Sequence, residues 1–274
     1  MTITHHKDGS YMGFLCNKMF QWASTIGIAG RHNAQYVFPH HEYFDIFEGD
    51  FPTRHPDELE GMGFETISER GFYYDQFDLS SGRYYNIEGY LQSPKYFAHC
   101  MKAVRSLFTF REDIRRNCEI AKAQLRVKDF PMAAIHARLG DYLNIKDHHT
   151  CLIDTNYYLN AIREIDPIGR PLIVFSDDQQ MFSEHLDHLN QEHFGGALIL
   201  INSPFADSYT EDLCLMSMMD SIICANSTFS LWAALLGNMR KTIVPDRHKW
   251  FGPEKADWDT SDLYMEHWKQ IGVE

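Results

Sequence analysis

MAAIHARLGDY, residues 132–142, starts as apolar as a buried strand and ends in a histidine, a guanidinium, a glycine and an aspartate. The run Ala133-Ala134-Ile135 has no polar alternation, which marks a strand covered on both faces, as the strands of parallel sheets are. Its polar end then needs a reason. In an open parallel sheet, ligands bind beyond the carboxyl ends of the strands, where the next helices aim their N-termini into a crevice. His136 and Arg138 are two apart, so they share one face of the strand and emerge together at that end.

Downstream the same beat continues. TNYYLNAIREI (155–165) has helical spacing, PLIVFSD (171–177) reads as a strand and QQMFSEHLDHL (179–189) as a helix. ALILI (197–201) and SIICA (221–225) read as strands on either side of the helix DSYTEDLCLMSMM (207–219). The helix STFSLWAALLG (227–237) and the strand KTIV (241–244) complete the series. Apolar strands alternating with amphipathic helices predict an α/β domain with a doubly wound parallel sheet.

The first half is less regular. NKMFQWASTIGIAGRH (17–32) predicts a helix and AQYVFP (34–39) a strand, and then an aromatic, glycine-rich and acidic stretch runs to about residue 90 with little periodicity. PKYFAHCMKAVRSLF (94–108) and REDIRRNCEIAKAQL (111–125) predict two more helices. The expected organisation is an irregular α/β lobe at residues 1–128 and a doubly wound α/β lobe at 129–274, with the C-terminal stretch packing on either.

Composition narrows the function. The formal charge is -13, so most of the surface repels nucleic acid and anionic lipid, and an anionic ligand requires a local positive pocket. No basic, then apolar leader opens the chain, and no run of about 20 apolar residues follows, so no membrane span is expected. The six cysteines form no CxxC pair, and free buried thiols in a reducing compartment account for them.

Three strand ends carry chemistry. Arg138 offers a planar cation suited to a phosphate oxygen. Ser227 and Thr228 open a helix, where hydroxyls, N–H groups and the positive end of the dipole converge. Asp177 or Asp178 could accept from the donor edge of a guanine. Each also has a plainer reading: helix caps for Ser227, Thr228 and the aspartates, and a surface ion pair for Arg138. His148-His149 and His185/His188 have ligand-like spacing but no completing set, so no metal site is expected.

HARLGD resembles the HxRRGD motif of the α-1,2-fucosyltransferases, glycosyltransferase family 11, shared in variant form with α-1,6- and protein O-fucosyltransferases. VFSDD and ANSTFSLWAALL are similar to that family's second and third motifs. GFLCNKMFQWA (13–23) resembles its GGLGNQMFQYA, GYLQSPKYF (89–97) its GYWQSEKYF, and KWFGP (249–253) a C-terminal element.

The resemblance implies a GT-B-like fold of two Rossmann-like lobes, the first on the acceptor side. It implies inverting, metal-independent transfer from GDP-fucose to a glycan hydroxyl, such as the 2-OH of a terminal galactoside, with no cofactor. Arg138 would bind the β-phosphate, and Asp141 is the nearest candidate for proton transfer, with Asp147 or His148 as alternatives. His136, Asp177 and Asp178 would line the guanosine site, Ser227, Thr228 and Phe229 would hold the pyrophosphate and nucleoside, and Asn17 would face donor and acceptor. Animal members are Golgi membrane proteins; with no anchor ahead of the first motif, a cytoplasmic enzyme is expected. Leu139 stands where the family has a second arginine, Cys16 where it has glycine, and Lys18 where it has glutamine. Leu139 either removes a charge from the site or packs inward, and if the family's glycine allows a positive φ or a close approach to substrate, Cys16 would strain or narrow that loop. Another linkage or acceptor, or a non-catalytic GDP-sugar or glycan-binding protein, are the alternatives.

Overall fold

Long apolar strands and short polar ones give this chain two differently built parts. A computed structural model describes residues 1–6, 13–127, 130–166, 168–205 and 208–274. The expected lobe boundary at residue 128, and Asp207 at the expected start of one helix, lie outside them. The described residues group into two compact units, Met1–Arg111 with Trp258–Met265, and Glu112–Asp257 with Glu266–Glu274.

The first unit contains β1 (Thr2–Thr4), α1 (Leu15–Arg31), β2 (Gln35–Tyr36), β3 (Phe38–Pro39), β4 (Thr53–Arg54), α2 (Pro56–Gly61), β5 (Glu65–Ser68), β6 (Tyr84–Glu88) and α3 (Met101–Leu107). Its four-stranded sheet has the order β2-β1-β6-β5, with every pairing parallel, and β3 and β4 form a separate parallel pair. The strand expected over 34–39 divides, because Gln35 and Tyr36 pair with β1 whereas Phe38 and Pro39 pair with β4. The helix expected over 94–108 also divides. Pro94–Tyr96 and Ala98–Cys100 are single 3₁₀ turns ahead of α3, and Phe97 between them leaves the helical region with φ −124° and ψ 2°. That break lets Tyr96 and Phe97 bury fully, Phe97 with its ring 6.0 Å from Phe20 of α1.

Cys16 lies within α1, 5% exposed, and is absent from the residues with positive φ. The strain expected there does not arise, because a helical φ suits any L-residue.

The second unit contains α4 (Glu112–Leu125), β7 (Ala133–Ala137), α5 (Tyr157–Glu164), β8 (Pro171–Ser176), α6 (Gln179–Phe194), β9 (Ile199–Asn202), α7 (Tyr209–Ser217), β10 (Ser221–Ile223), α8 (Thr228–Leu236), β11 (Lys241–Pro245) and β12 (Lys269–Ile271). Six strands form one parallel sheet in the order β12-β11-β10-β7-β8-β9. α4 belongs here because it packs on α7, with Cys118 buried and its thiol donating to the Glu211 carbonyl at 3.4 Å. The short polar strand β12 at the sheet edge has no apolar signature and is not legible in the sequence.

All five residues of β7 are buried. Ala133, Ile135 and Ala137 pack with Tyr157, Tyr158 and Ile162 of α5 and Phe182 and Leu186 of α6. Ala134 and His136, on the opposite face by alternation, are buried as well. Chain direction across the sheet reverses once. From β7 it runs outward through β8 to β9, then returns to place β10 against the other side of β7. The crevice of an open sheet lies at such a switch point, here beyond the carboxyl ends of β7 and β10.

Candidate active site

The residues that follow β7 and β10 meet at this switch point. His136 is 5% exposed, and its ring lies 5.4 Å from that of Phe229 in the first turn of α8. Burial, with the neighbouring Arg138 adding to it, pushes the imidazole down to about 3, so it is neutral. Its Nδ1 is buried without a hydrogen-bond partner.

Arg138 is held between carboxylates. Nη2 lies 2.8 Å from Asp141 and Nη1 3.0 Å from Asp177. Asp177 also accepts from the Leu139 N–H at 2.7 Å, so both its oxygens are engaged by the end of β7. Gly140 permits this, because a Cβ there would stand 2.5 Å from Asp177 Oδ2. Asp178 turns to cap α6, accepting from Met181 N at 3.1 Å. Ser227 caps α8, accepting from Phe229 N at 3.3 Å. The plainer cap reading thus describes the hydrogen bonds of Asp178 and Ser227. The N-terminus of α8 nevertheless lies at the carboxyl end of β10, one strand from Arg138.

Leu139 is 1% exposed and belongs to the apolar cluster with Ala137, Leu152, Tyr158 and Phe182. Of the two expectations for this residue, inward packing is the one the structure shows, because it continues the odd-numbered face of β7.

Sequence reasoning missed the supports of this strand end. Asn226, 1% exposed, donates from Nδ2 to the carbonyls of Thr150 at 2.8 Å and Trp250 at 3.0 Å, and its own carbonyl accepts from the Tyr142 hydroxyl at 3.2 Å. One side chain therefore ties the loops after β7, β10 and β11 together. His148 Nδ1 lies 3.2 Å from Glu254 and His188 Nε2 3.2 Å from Glu192, so each of these histidines faces a single carboxylate. Asn17 lies in the first unit at the head of α1, where its Oδ1 accepts from Gln92 Nε2 at 3.1 Å. Lys18, 7% exposed, is lowered by burial from the usual lysine range.

The model of glycosyl transferase family 11 matches residues 8–272. The chain belongs to that family. It is similar to the O-antigen biosynthesis glycosyltransferase WbnK of Escherichia coli, 31% identical over 170 residues, which is 59% of this chain and 52% of that protein. An alpha-1,2-colitosyltransferase of Escherichia coli is 27% identical over 67% of this chain and 61% of its own length. The chain therefore spans between half and two thirds of these two relatives. The galactoside alpha-(1,2)-fucosyltransferase 2 of Mus musculus is 21% identical over 82% of this chain and 66% of its own. Among solved structures, the fucosyltransferase NodZ from Bradyrhizobium superposes with a TM-score of 0.55 at 14% identity, over 89% of this chain and 94% of that one. POFUT1 in complex with GDP gives 0.56 at 11% identity, over 89% and 97%. This family 11 chain shares with them an α/β fold of parallel sheets. No helix among the described residues is long and apolar enough to cross a membrane.

Proposed function

We propose that this chain transfers fucose from GDP-fucose to a glycan hydroxyl, with inversion and without a metal, the 2-OH of a terminal galactoside being the acceptor that its relatives suggest. The observation that carries the reading is the meeting of Arg138 and the N-terminus of α8 at the switch between β7 and β10, linked by the His136–Phe229 ring contact at 5.4 Å. A guanidinium and a helix N-terminus are metal-free ways to hold a diphosphate. In this reading the GT-B-like pair of lobes gives the acceptor side to the N-terminal lobe. Six free cysteines suit a reducing compartment such as the cytoplasm.

The ion pairs of Arg138 suggest a sequence of events. Asp141 is the more exposed partner, with 55% of its side chain accessible against 25% for Asp177. The diphosphate therefore replaces Asp141 on Nη2, while Asp177 keeps the strand end in place. Released, Asp141 becomes a proton acceptor beside the reacting centre. The acceptor hydroxyl attacks the anomeric carbon from the face opposite GDP, the carbon–oxygen bond to the β-phosphate breaks with its electron pair passing to that oxygen, and the hydroxyl proton leaves to Asp141. Arg138 and the N–H groups and hydroxyls at Ser227 and Thr228 stabilise the growing charge, each worth on the order of 3 kcal/mol by analogy with oxyanion-hole donors. His136, Asp178 and Phe229 are assigned to the nucleoside, and Asn17 to donor and acceptor. Asp177, spent on Arg138 and Leu139, reaches the nucleoside only by exchanging one of these bonds.

The test is incubation of the full chain with GDP-fucose and lactose, N-acetyllactosamine or simple β-galactosides, with and without a chelator, followed by NMR of the product. An α-1,2-fucosyl galactoside formed equally with chelator is expected. Turnover of a colitosyl donor in place of GDP-fucose would move the reading to the second relative's sugar, and GDP-fucose binding without turnover would make the chain a binding protein.

A further inference from the structure

Arg138 is flanked by more than carboxylates. Its guanidinium carbon lies 5.8 Å over the centre of the Tyr142 ring. Tyr142 is stacked in turn on His149, with centroids 4.3 Å apart and planes within 9°. His149 packs against Phe251 with centroids 5.4 Å apart and planes tilted by 40°, and Lys255 Nζ lies 5.3 Å from the centre of that ring. Three flat rings thus form a column backing one guanidinium, drawn from the loop after β7 and from the segment after β11.

The column is anchored at both ends. The Tyr142 hydroxyl donates to the Asn226 carbonyl just ahead of α8. On the far side, the Thr150 hydroxyl donates to the Phe251 carbonyl at 2.8 Å, and Gly252 N donates to the His148 carbonyl at 2.9 Å. Gly252 has no alternative, since a Cβ would stand 2.5 Å from the Asp147 carbonyl oxygen. Burial first, then the charge of Lys255, lowers His149 to about 4. The ring is therefore uncharged at neutral pH and stacks flat without adding a second cation behind Arg138.

We propose that Tyr142 and His149 are positioning residues for Arg138, and that the ring column sets the plane of its guanidinium and fixes it relative to the N-terminus of α8. Carboxylates alone leave a guanidinium free to rotate when one of them is exchanged for phosphate. A ring face beneath it removes that freedom and costs no charge. The inference rests on the reading of Arg138 as the phosphate-binding residue.

The test measures GDP affinity by calorimetry and steady-state rates with GDP-fucose for the full chain, for Tyr142→Phe, Tyr142→Leu, His149→Phe, His149→Leu and Arg138→Ala, and for Arg138→Ala combined with Tyr142→Leu. His149→Phe keeps the column and should stay within about threefold of the parent, and Tyr142→Phe, which keeps the ring but loses its bond to the Asn226 carbonyl, should fall between the parent and Tyr142→Leu. Tyr142→Leu should weaken GDP about tenfold and lower kcat further, with the acceptor KM unchanged, and His149→Leu should do the same to a smaller extent. On the Arg138→Ala background, Tyr142→Leu should change GDP affinity by less than about twofold, because the group it positions is gone. A full Tyr142→Leu loss on that background, or a Tyr142→Phe as damaging as Tyr142→Leu, would overturn the inference and leave the site reading standing. If Arg138→Ala itself binds GDP like the parent, the site reading fails and the inference falls with it. Thermal melting identifies any variant that is misfolded; should Tyr142→Leu be one, the His149 pair decides in the same way.

Discussion

The sheets of the two units differ in where they bury polar groups. In the second unit β7 is apolar up to His136, and polar side chains gather from there to the strand ends, where His136, Arg138, Asp177 and Asn226 lie. In the first unit, polar side chains hold the packing itself. Ser24 on α1 donates to the Leu91 carbonyl at 2.9 Å, Glu69 accepts from the Leu91 N–H at 3.2 Å, and His5 meets the Ile87 carbonyl at 2.6 Å. Leu91, clamped from both sides, is fully buried with φ +52°. Where strands are apolar the backbone follows from burial; where they are polar, as in β2 and β6, side-chain to backbone bonds help fix it.

The strongest way to break this comparison is Leu139→Arg, which restores the arginine of the family motif. If the second unit relies on an apolar interior, a cation at a position 1% exposed should cost about 3–5 kcal/mol in urea unfolding and give no gain in transfer. A stable and more active variant would show that Leu139 faces the site. Next in size, Asn226→Ala orphans the Thr150 and Trp250 carbonyls and should cost about 2 kcal/mol while reducing GDP affinity.

Buried histidines and buried carboxylic acids differ in the sign of a pH response. In the second unit, His136 is lowered by burial to about 3 from 6.5, so its contribution is full above pH 6.5 and is lost as pH falls toward 3. The slope is about 1.4 kcal/mol per pH unit. In the first unit, Glu69 is raised by burial to about 7 from 4.5; its contribution is full below 4.5 and is lost as pH rises to 7. His5, lowered by burial to about 4, shares the sign of His136, so the groups are separated by substitution. Stability measured between pH 4 and 8 should lose part of its acid sensitivity in His136→Phe and part of its decline between 4.5 and 7 in Glu69→Gln, since His5 shares the first response and Asp212 of the second unit, raised by burial to about 7, shares the second. Matching curves for the two variants would erase the distinction. Smallest is Ser24→Ala, expected to cost about 1 kcal/mol through the freed Leu91 carbonyl.

The same contrast explains what could be read from sequence. The strands and helices from β7 to β11 were legible because apolar runs and helical spacing alternate there, and Arg138, Asp141 and Asp177 were legible as residues just past apolar strands. β6, central in the first sheet, reads as the polar YYNIE, and its strand character comes from β1 and β5 on either side. The ring column was hidden for a different reason. Tyr142, His149 and Phe251 are brought together by loop contacts across about a hundred residues, and nothing in local spacing announces a stack of that kind.

The central claim is that a nucleoside diphosphate binds at the switch point between β7 and β10. A crystal structure of the full chain with GDP tests it directly. The account predicts a β-phosphate oxygen within hydrogen-bond distance of Arg138 and the first turn of α8, the Asp141 carboxylate displaced from Nη2, and Asp177 still on Nη1. GDP bound elsewhere, with Arg138 still paired to both aspartates, would contradict it.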